Sequence, residues 1–159
     1  MFLRSTSRAK DRAVALAAVL YCLTGCSLFI GNAVDNAADN LTTAILNQDD
    51  PETVRDGAPA YLLLMDSLVE GAPQDPEILQ SASSLYAAYA AVFVEDPERA
   101  ARLAVRSRNY AARGLCETRK SGCGLVELPF DQVESRLAGF GQQDVDALYT
   151  LAVSWLVYI

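Results

Sequence analysis

The sequence predicts an all-α fold built from stacked antiparallel helix pairs, and three observations carry that prediction. From Asn32 onward, apolar residues recur at helical spacing, whereas no stretch longer than a few residues alternates in the manner of a half-buried strand. Three segments open with nearly the same words, Asp50-Pro51-Glu52, Asp75-Pro76-Glu77 and Asp96-Pro97-Glu98. In each, the aspartate can accept hydrogen bonds from free backbone N–H groups, and proline occupies a first-turn position where its missing N–H costs nothing. The glutamate complements the positive end of the helix. Finally, the small residues Ala82, Ala87, Ala88, Ala90 and Ala91 allow neighbouring helices to approach closely.

The apolar stripes follow in order. A short helix is expected around Val34 to Ile45. The next carries Val54-Ala58-Tyr61-Met65-Leu68, and a third carries Ile78-Ala82-Leu85-Tyr86-Tyr89-Phe93. A fourth places Leu103 with Tyr110, and Val105 with Ala112 and Leu115. One helix near Phe130 to Leu137 follows, and another starts at Asp144 with Leu148, Ala152, Trp155 and Ile159. The proline-marked starts are spaced 25 and then 21 residues apart, so any repeat is degenerate beside the period of about 34 residues that tetratricopeptide (TPR) arrays keep. The expected architecture is a TPR-like α-solenoid.

With 159 residues, of which 52% are hydrophobic, the chain has one domain's worth of material and enough apolar content for a core. Histidine is absent, which removes both the usual neutral-pH proton carrier and the commonest metal ligand. Neither a metal nor another cofactor is expected. Four of the basic residues, Arg4, Arg8, Lys10 and Arg12, fall in the first 25 residues beside a single acid, Asp11; the rest of the chain holds 9 basic and 19 acidic residues, a net charge of −10. A body of that sign is repelled by phosphate backbones, so nucleic acid is excluded as a partner.

The N-terminus reads as an address. A basic stretch ending at Arg12 precedes an apolar run of 11 residues, Ala13 to Leu23, and then Thr24-Gly25-Cys26. A helical membrane span needs about 20 apolar residues, so residues 1–25 are expected to be a signal peptide and 26–159 the TPR-like domain; the alternative is an uncleaved transmembrane anchor, which requires counting the run on to Ile30 through Gly25 and Ser27. Leu23-Thr24-Gly25-Cys26 resembles the lipobox of bacterial lipoproteins, which implies that Cys26 becomes the acylated first residue of the mature chain. Ser27 after it implies the periplasmic side of the outer membrane. Of the remaining cysteines, Cys22 would leave with the signal, and Cys116 and Cys123 are expected to form a disulfide in an oxidising compartment, pinning the turn from Glu117 to Leu125. The alternative is a pair of free buried thiols.

Several features admit two readings. Tyr86, Tyr89 and Phe93 share one helix face, and Tyr149 and Trp155 lie on the last helix; together they are candidates for lining an apolar ligand passage, although aromatic stripes of this kind are more often core. Arg99, Arg102, Arg106 and Arg113 form a basic face that could dock an acidic partner, or a solvated face paired with nearby carboxylates. The carboxylate pairs Asp49-Asp50 and Asp144-Asp146 could serve a general acid and base, but helix capping accounts for both. No catalytic residues are expected, and the chain is not expected to be an enzyme. Gly122-Cys123-Gly124 and Gly139-Phe140-Gly141 follow no strand and are not phosphate loops.

The run Asp49-Asp50-Pro51-Glu52-x-Val54-Arg55-Asp56-x-Ala58-Pro59 resembles the TatT family, the T components of TRAP transporters. So do Leu64-Met65-Asp66-Ser67-Leu68, Tyr86-Ala87-Ala88-Tyr89-Ala90-x-Val92-Phe93, Arg108-x-Tyr110 through Arg113-Gly114-Leu115, and Asp144-Val145-Asp146-Ala147-Leu148-Tyr149 followed by Trp155. The resemblance implies a TPR-like periplasmic lipoprotein that is trimeric at full length and has a hydrophobic channel. It also implies docking to the solute-binding P component and help in delivering small, hydrophobic organic ligands. Family members continue past this point, so the end at Val157-Tyr158-Ile159 is expected to be a truncation. The competing expectation is a TPR-like structural lipoprotein that organises envelope assembly and carries no ligand.

Overall fold

A computed structural model of the chain describes residues 44 and 47–159. The expected signal peptide, the acylation site Cys26 and the helix around Val34 to Ile45 therefore lie outside the described residues, apart from Ala44, which is helical. Residues 51–159 make one compact unit, separate from residues 1–50. Its elements are α1 (Pro51–Gly71), α2 (Pro76–Phe93), α3 (Pro97–Thr118), α4 (Phe130–Leu137) and α5 (Val145–Tyr158). Short 3-10 turns at Lys120–Gly122, Leu125–Glu127 and Gln142–Asp144 join α3 to α4 and α4 to α5. Among the described residues there is no strand.

The proline-marked starts at Asp75 and Asp96 behave as caps. Asp75 accepts from the backbone N–H groups of Glu77 (2.9 Å) and Ile78 (3.2 Å), and Asp96 accepts from that of Arg99 (2.6 Å). Asp144 departs from the expectation. It makes no side-chain cap to α5; its carboxylate instead takes the backbone N–H of Gly141 at 2.8 Å and closes the 3-10 turn before the helix.

Helices α2 and α3 share the most extensive contact, α5 lies against both, and α1 lies against α2. This arrangement produces two cores. One joins Ala58, Leu62 and Val69 of α1 to Leu79, Ala82, Tyr86 and Tyr89 of α2 and Tyr110 of α3. The other joins Ala111 and Leu115 of α3 to Leu125 and to Ala147 and Leu151 of α5. The α1 stripe is thus rotated from the expected one: Leu62 and Val69 are buried, whereas Tyr61 and Leu68 are only partly so. On α2 the expected stripe includes three of the seven buried residues, Ala82, Tyr86 and Tyr89. Ser83, Ala87 and Ala90 form a second covered face, because α2 has neighbours on more than one side. On α3 the small residues Ala104, Ser107, Ala111 and Gly114 make the close contacts, and Val105, expected in the core, is 40% exposed.

The closeness of α2 and α3 has two visible consequences. Ser107 Oγ donates to the Ser83 carbonyl at 2.8 Å and lies 3.1 Å from Ser83 Oγ, satisfying hydroxyls that have no access to solvent. A Cβ placed on Gly114 would sit 3.2 Å from Gln80 Cγ and 3.3 Å from Leu79 Cβ, closer than a side chain normally tolerates.

After α3 the chain makes a tight excursion. A disulfide joins Cys116 to Cys123 across Cα atoms 4.3 Å apart. Gly124 follows at φ 72°, a left-handed conformation that residues with a Cβ rarely adopt. Helix α4 has no buried residue. On α5 the residues away from α3, namely Val145, Tyr149, Ala152, Leu156 and Ile159, form an exposed apolar stripe at alternating steps of four and three.

Candidate functional site

The most connected side-chain cluster is centred on Asp66. In α1 this residue interrupts an apolar stripe, since it stands between Leu62 and Val69 on the side turned to α2 and α3. A carboxylate there must find donors, and it finds three. Tyr86 of α2 donates its hydroxyl to Oδ2 at 2.8 Å, Tyr110 of α3 donates to Oδ1 at 2.8 Å, and Arg106 Nη1 of α3 donates to Oδ2 at 3.0 Å. Arg106 Nη1 also reaches the Tyr86 hydroxyl at 3.3 Å, and its guanidinium lies 5.5 Å from the centre of the Tyr86 ring. The two tyrosine rings pack at 5.8 Å. One acidic residue of α1 therefore ties together three helices.

This setting perturbs the phenols. Burial pushes the Tyr110 hydroxyl up to about 12, reinforced by its hydrogen bond to Asp66 and the negative charge of that group. Tyr86 is raised for the same reasons in the same order. Both phenols are therefore neutral donors at ordinary pH.

The aromatic residues singled out in the sequence do not converge. Tyr86 and Tyr89 are buried in the core shared by α1, α2 and α3, with Phe93 packed against it and 6.0 Å from the Tyr89 ring. Trp155 packs against the other core, on α5, and Tyr149 is 69% exposed on the outer stripe. The structure thus distributes the five over two cores and one surface.

The arginine face is largely engaged within the chain. Arg106 holds Asp66, and Arg113 Nη2 donates to the Pro73 carbonyl at 2.8 Å while lying over the Tyr110 ring. Arg99 lies 5.6 Å from the centre of the Tyr89 ring. Arg102 is the open member of the four, with a long 3.8 Å pairing to Glu98 between two well-exposed side chains. A pair of that kind contributes about 0–1 kcal/mol and leaves the guanidinium accessible.

Two further arrangements were not singled out from the sequence. Asp144 is buried and receives Arg119 Nη1 at 2.8 Å along with the Gly141 N–H, so Arg119, just after α3, clamps the turn that launches α5. Arg119 also lies 5.5 Å from the centre of the Phe140 ring. Arg108 of α3 is held by Val126, Trp155 and Tyr158. The signal for Asp66 was present in the sequence as a charge within an apolar stripe; Arg108 and Arg119 gave none, because their partners are set by how α5 returns to α3. Among the described residues, no group of three or more cysteine, aspartate or glutamate side chains could hold a metal ion, and no helix is long and apolar enough to cross a membrane.

Comparison with known proteins adds one finding. No curated protein and no solved structure matches the chain. A family model described as TRAP transporter T-component matches residues 47–159, a span that takes in all five helices, the Asp66 cluster and the Arg119 clamp. The chain belongs to the TAtT family of TRAP transporter T-components.

Proposed function

We propose that this chain is the lipid-anchored, periplasmic accessory component of a TRAP-type transport system, acting by docking the solute-binding P component and holding a small hydrophobic ligand. Family membership over residues 47–159 is the observation that carries this reading. The order of helix contacts supports a TPR-like stack, since α5 packs on both members of the α2–α3 pair as the first helix of a following pair would. Acylation at Cys26 would hold the stack at the inner leaflet of the outer membrane, where several acyl chains anchor firmly at roughly 0.8 kcal/mol per buried methylene. Arg102 is the accessible point of the basic face, and with Arg99, Arg106 and Arg113 it would meet an acidic surface of the receptor. The reading gives no residue a catalytic role, and Asp144 is held by Arg119 and the Gly141 N–H.

The test is co-purification from detergent-solubilised envelopes with a TRAP-type solute receptor of the same cell, together with mass spectrometry of the N-terminus. Receptor recovered with an acylated chain starting at Cys26 is the expected result. An unmodified chain beginning at Met1, with no receptor attached, would refute the proposal.

The dispersal of Tyr86, Tyr89, Phe93, Tyr149 and Trp155 favours a second reading, a lipoprotein scaffold for envelope assembly with no ligand. Native mass spectrometry separates the two, because a scaffold would carry no small molecule and would ignore the receptor.

A further inference from the structure

Arg108 has an unusual environment for a cation. Its Nη2 donates to the Val126 carbonyl at 3.2 Å, and its guanidinium carbon lies 4.6 Å from the centre of the Tyr158 ring and 5.6 Å from that of Trp155. Its Nε is the one buried side-chain nitrogen or oxygen without a hydrogen-bond partner among the described residues. Ion pairs among the described residues engage Arg55, Arg102, Arg106, Arg119 and Lys120, and none engages Arg108. A guanidinium carries five N–H donors, and here the protein accepts one of them. Ring faces stabilise a partly exposed cation only weakly, which does not replace the missing acceptors.

We propose that Arg108, Trp155 and Tyr158 form a seat for the anionic head of an amphiphilic ligand. Both rings lie close to the guanidinium, and Nη1 and the second Nη2 hydrogen, which no protein acceptor takes, would give a carboxylate two parallel hydrogen bonds. Exposed apolar residues are near in the fold: Tyr158, whose ring lies by the guanidinium, is 42% exposed, and Val105, one turn before Arg108 on α3, is 40% exposed. The chain's net charge of −7 repels free anions at a distance. A bare anion therefore gains too little here, and the seat selects an anion whose apolar body adds burial of its own. This deepens the ligand-holding half of the function proposed above and rests on it.

Trp155 is the single tryptophan of the chain, so its fluorescence reports the seat directly. Titration of the purified full chain with octanoate is expected to give a saturable change. Octan-1-ol should bind at least tenfold more weakly, and acetate should give no saturation over the same range. Arg108→Met should bring octanoate and octanol within about twofold of each other, with helix content unchanged by circular dichroism; if that variant does not fold, Arg108→Gln serves the same comparison. Equal binding of octanol and octanoate by the unaltered chain, an undiminished preference in a folded Arg108 variant, or no saturable response to octanoate would overturn the proposal. The titration contains no receptor, so its failure leaves docking to the P component standing, and loss of docking leaves the seat standing.

Discussion

Replacing Asp66 by alanine should be among the most damaging single changes available outside the apolar core, and its cost follows from the hydrogen bonds it removes. The tyrosines Tyr86 and Tyr110, both nearly inaccessible, each donate to this carboxylate at 2.8 Å. A hydrogen bond to a charged group is worth about 1.5–3 kcal/mol, and truncation leaves both phenols facing a cavity. Arg106 adds little, because its side chain is 52% exposed and water screens the pair to about 1 kcal/mol or less. Water reaching the cavity offsets part of the loss, since the Asp66 side chain is itself 19% exposed. The net expectation is a loss of about 3–4 kcal/mol, read as a drop in Tm of roughly 12–16 °C for a body of this size.

Thermal and urea denaturation followed by circular dichroism measure it, and a double-mutant comparison isolates the cause. In a Tyr86→Phe, Tyr110→Phe background the donors are gone, so Asp66→Ala should then cost about 1 kcal/mol or less. Two outcomes would refute the reasoning: a loss below about 1 kcal/mol in the unaltered background, or an equal loss in both backgrounds.

Other consequences are as direct. The phenol of Tyr110 is raised from 10.0 to about 12 and that of Tyr86 is also raised, so the folded state favours the neutral forms; their contribution to stability is complete below about pH 10 and is lost as pH rises towards 12. Absorbance of tyrosinate near 295 nm should show two of the seven tyrosines titrating late and together with unfolding. Arg119→Met should cost about 2–3 kcal/mol, discounted for the partly exposed guanidinium, because it strands the buried Asp144 carboxylate; proteolysis near Gly139 to Gly141 should accelerate. Gly114→Ala should cost about 1–3 kcal/mol in a urea titration, since its Cβ would press on Leu79 and Gln80. Reduction of the Cys116–Cys123 bridge should cost at most about 2.5 kcal/mol, given the short loop it closes, and thiol titration before reduction should find neither cysteine free.

Much of the fold could be read from the sequence because its signals are local. Asp75 and Asp96 cap helices where their Asp-Pro-Glu words stand, and α4 occupies the expected Phe130–Leu137. Burial was less legible where a helix touches several neighbours. A single-stripe reading of α2 selects large residues, whereas Ser83, Ala87 and Ala90 are buried as well, and Ser83 meets Ser107 of α3 where small size permits close approach. The same bias put Val105 inside, when Ala104 and Ser107 are the residues that let α3 approach. Asp144 was misassigned for a related reason: an aspartate before a helix reads as its cap, and the competing donor, Arg119, lies 25 residues earlier in the chain.

The two acid-centred clusters explain how a structure with such small-residue helix contacts fixes the register of its layers. Alanine and serine faces permit close approach but discriminate poorly between neighbouring alignments, because a shift by one turn presents much the same surface. A buried carboxylate discriminates strongly, since its donors must arrive from defined directions at about 2.8 Å. Asp66 sets α1 against α2 and α3 by this means, and Asp144 sets the start of α5 against the end of α3. Asp66 on α1 draws its donors from α2 and α3, and Asp144, at the turn that opens α5, draws Arg119 from the segment just after α3 beside the local N–H of Gly141. The close-packed middle, which also carries the arginine face, is thereby the fixed reference, and the flanking helices α1 and α5 are positioned relative to it by directional bonds rather than by bulk.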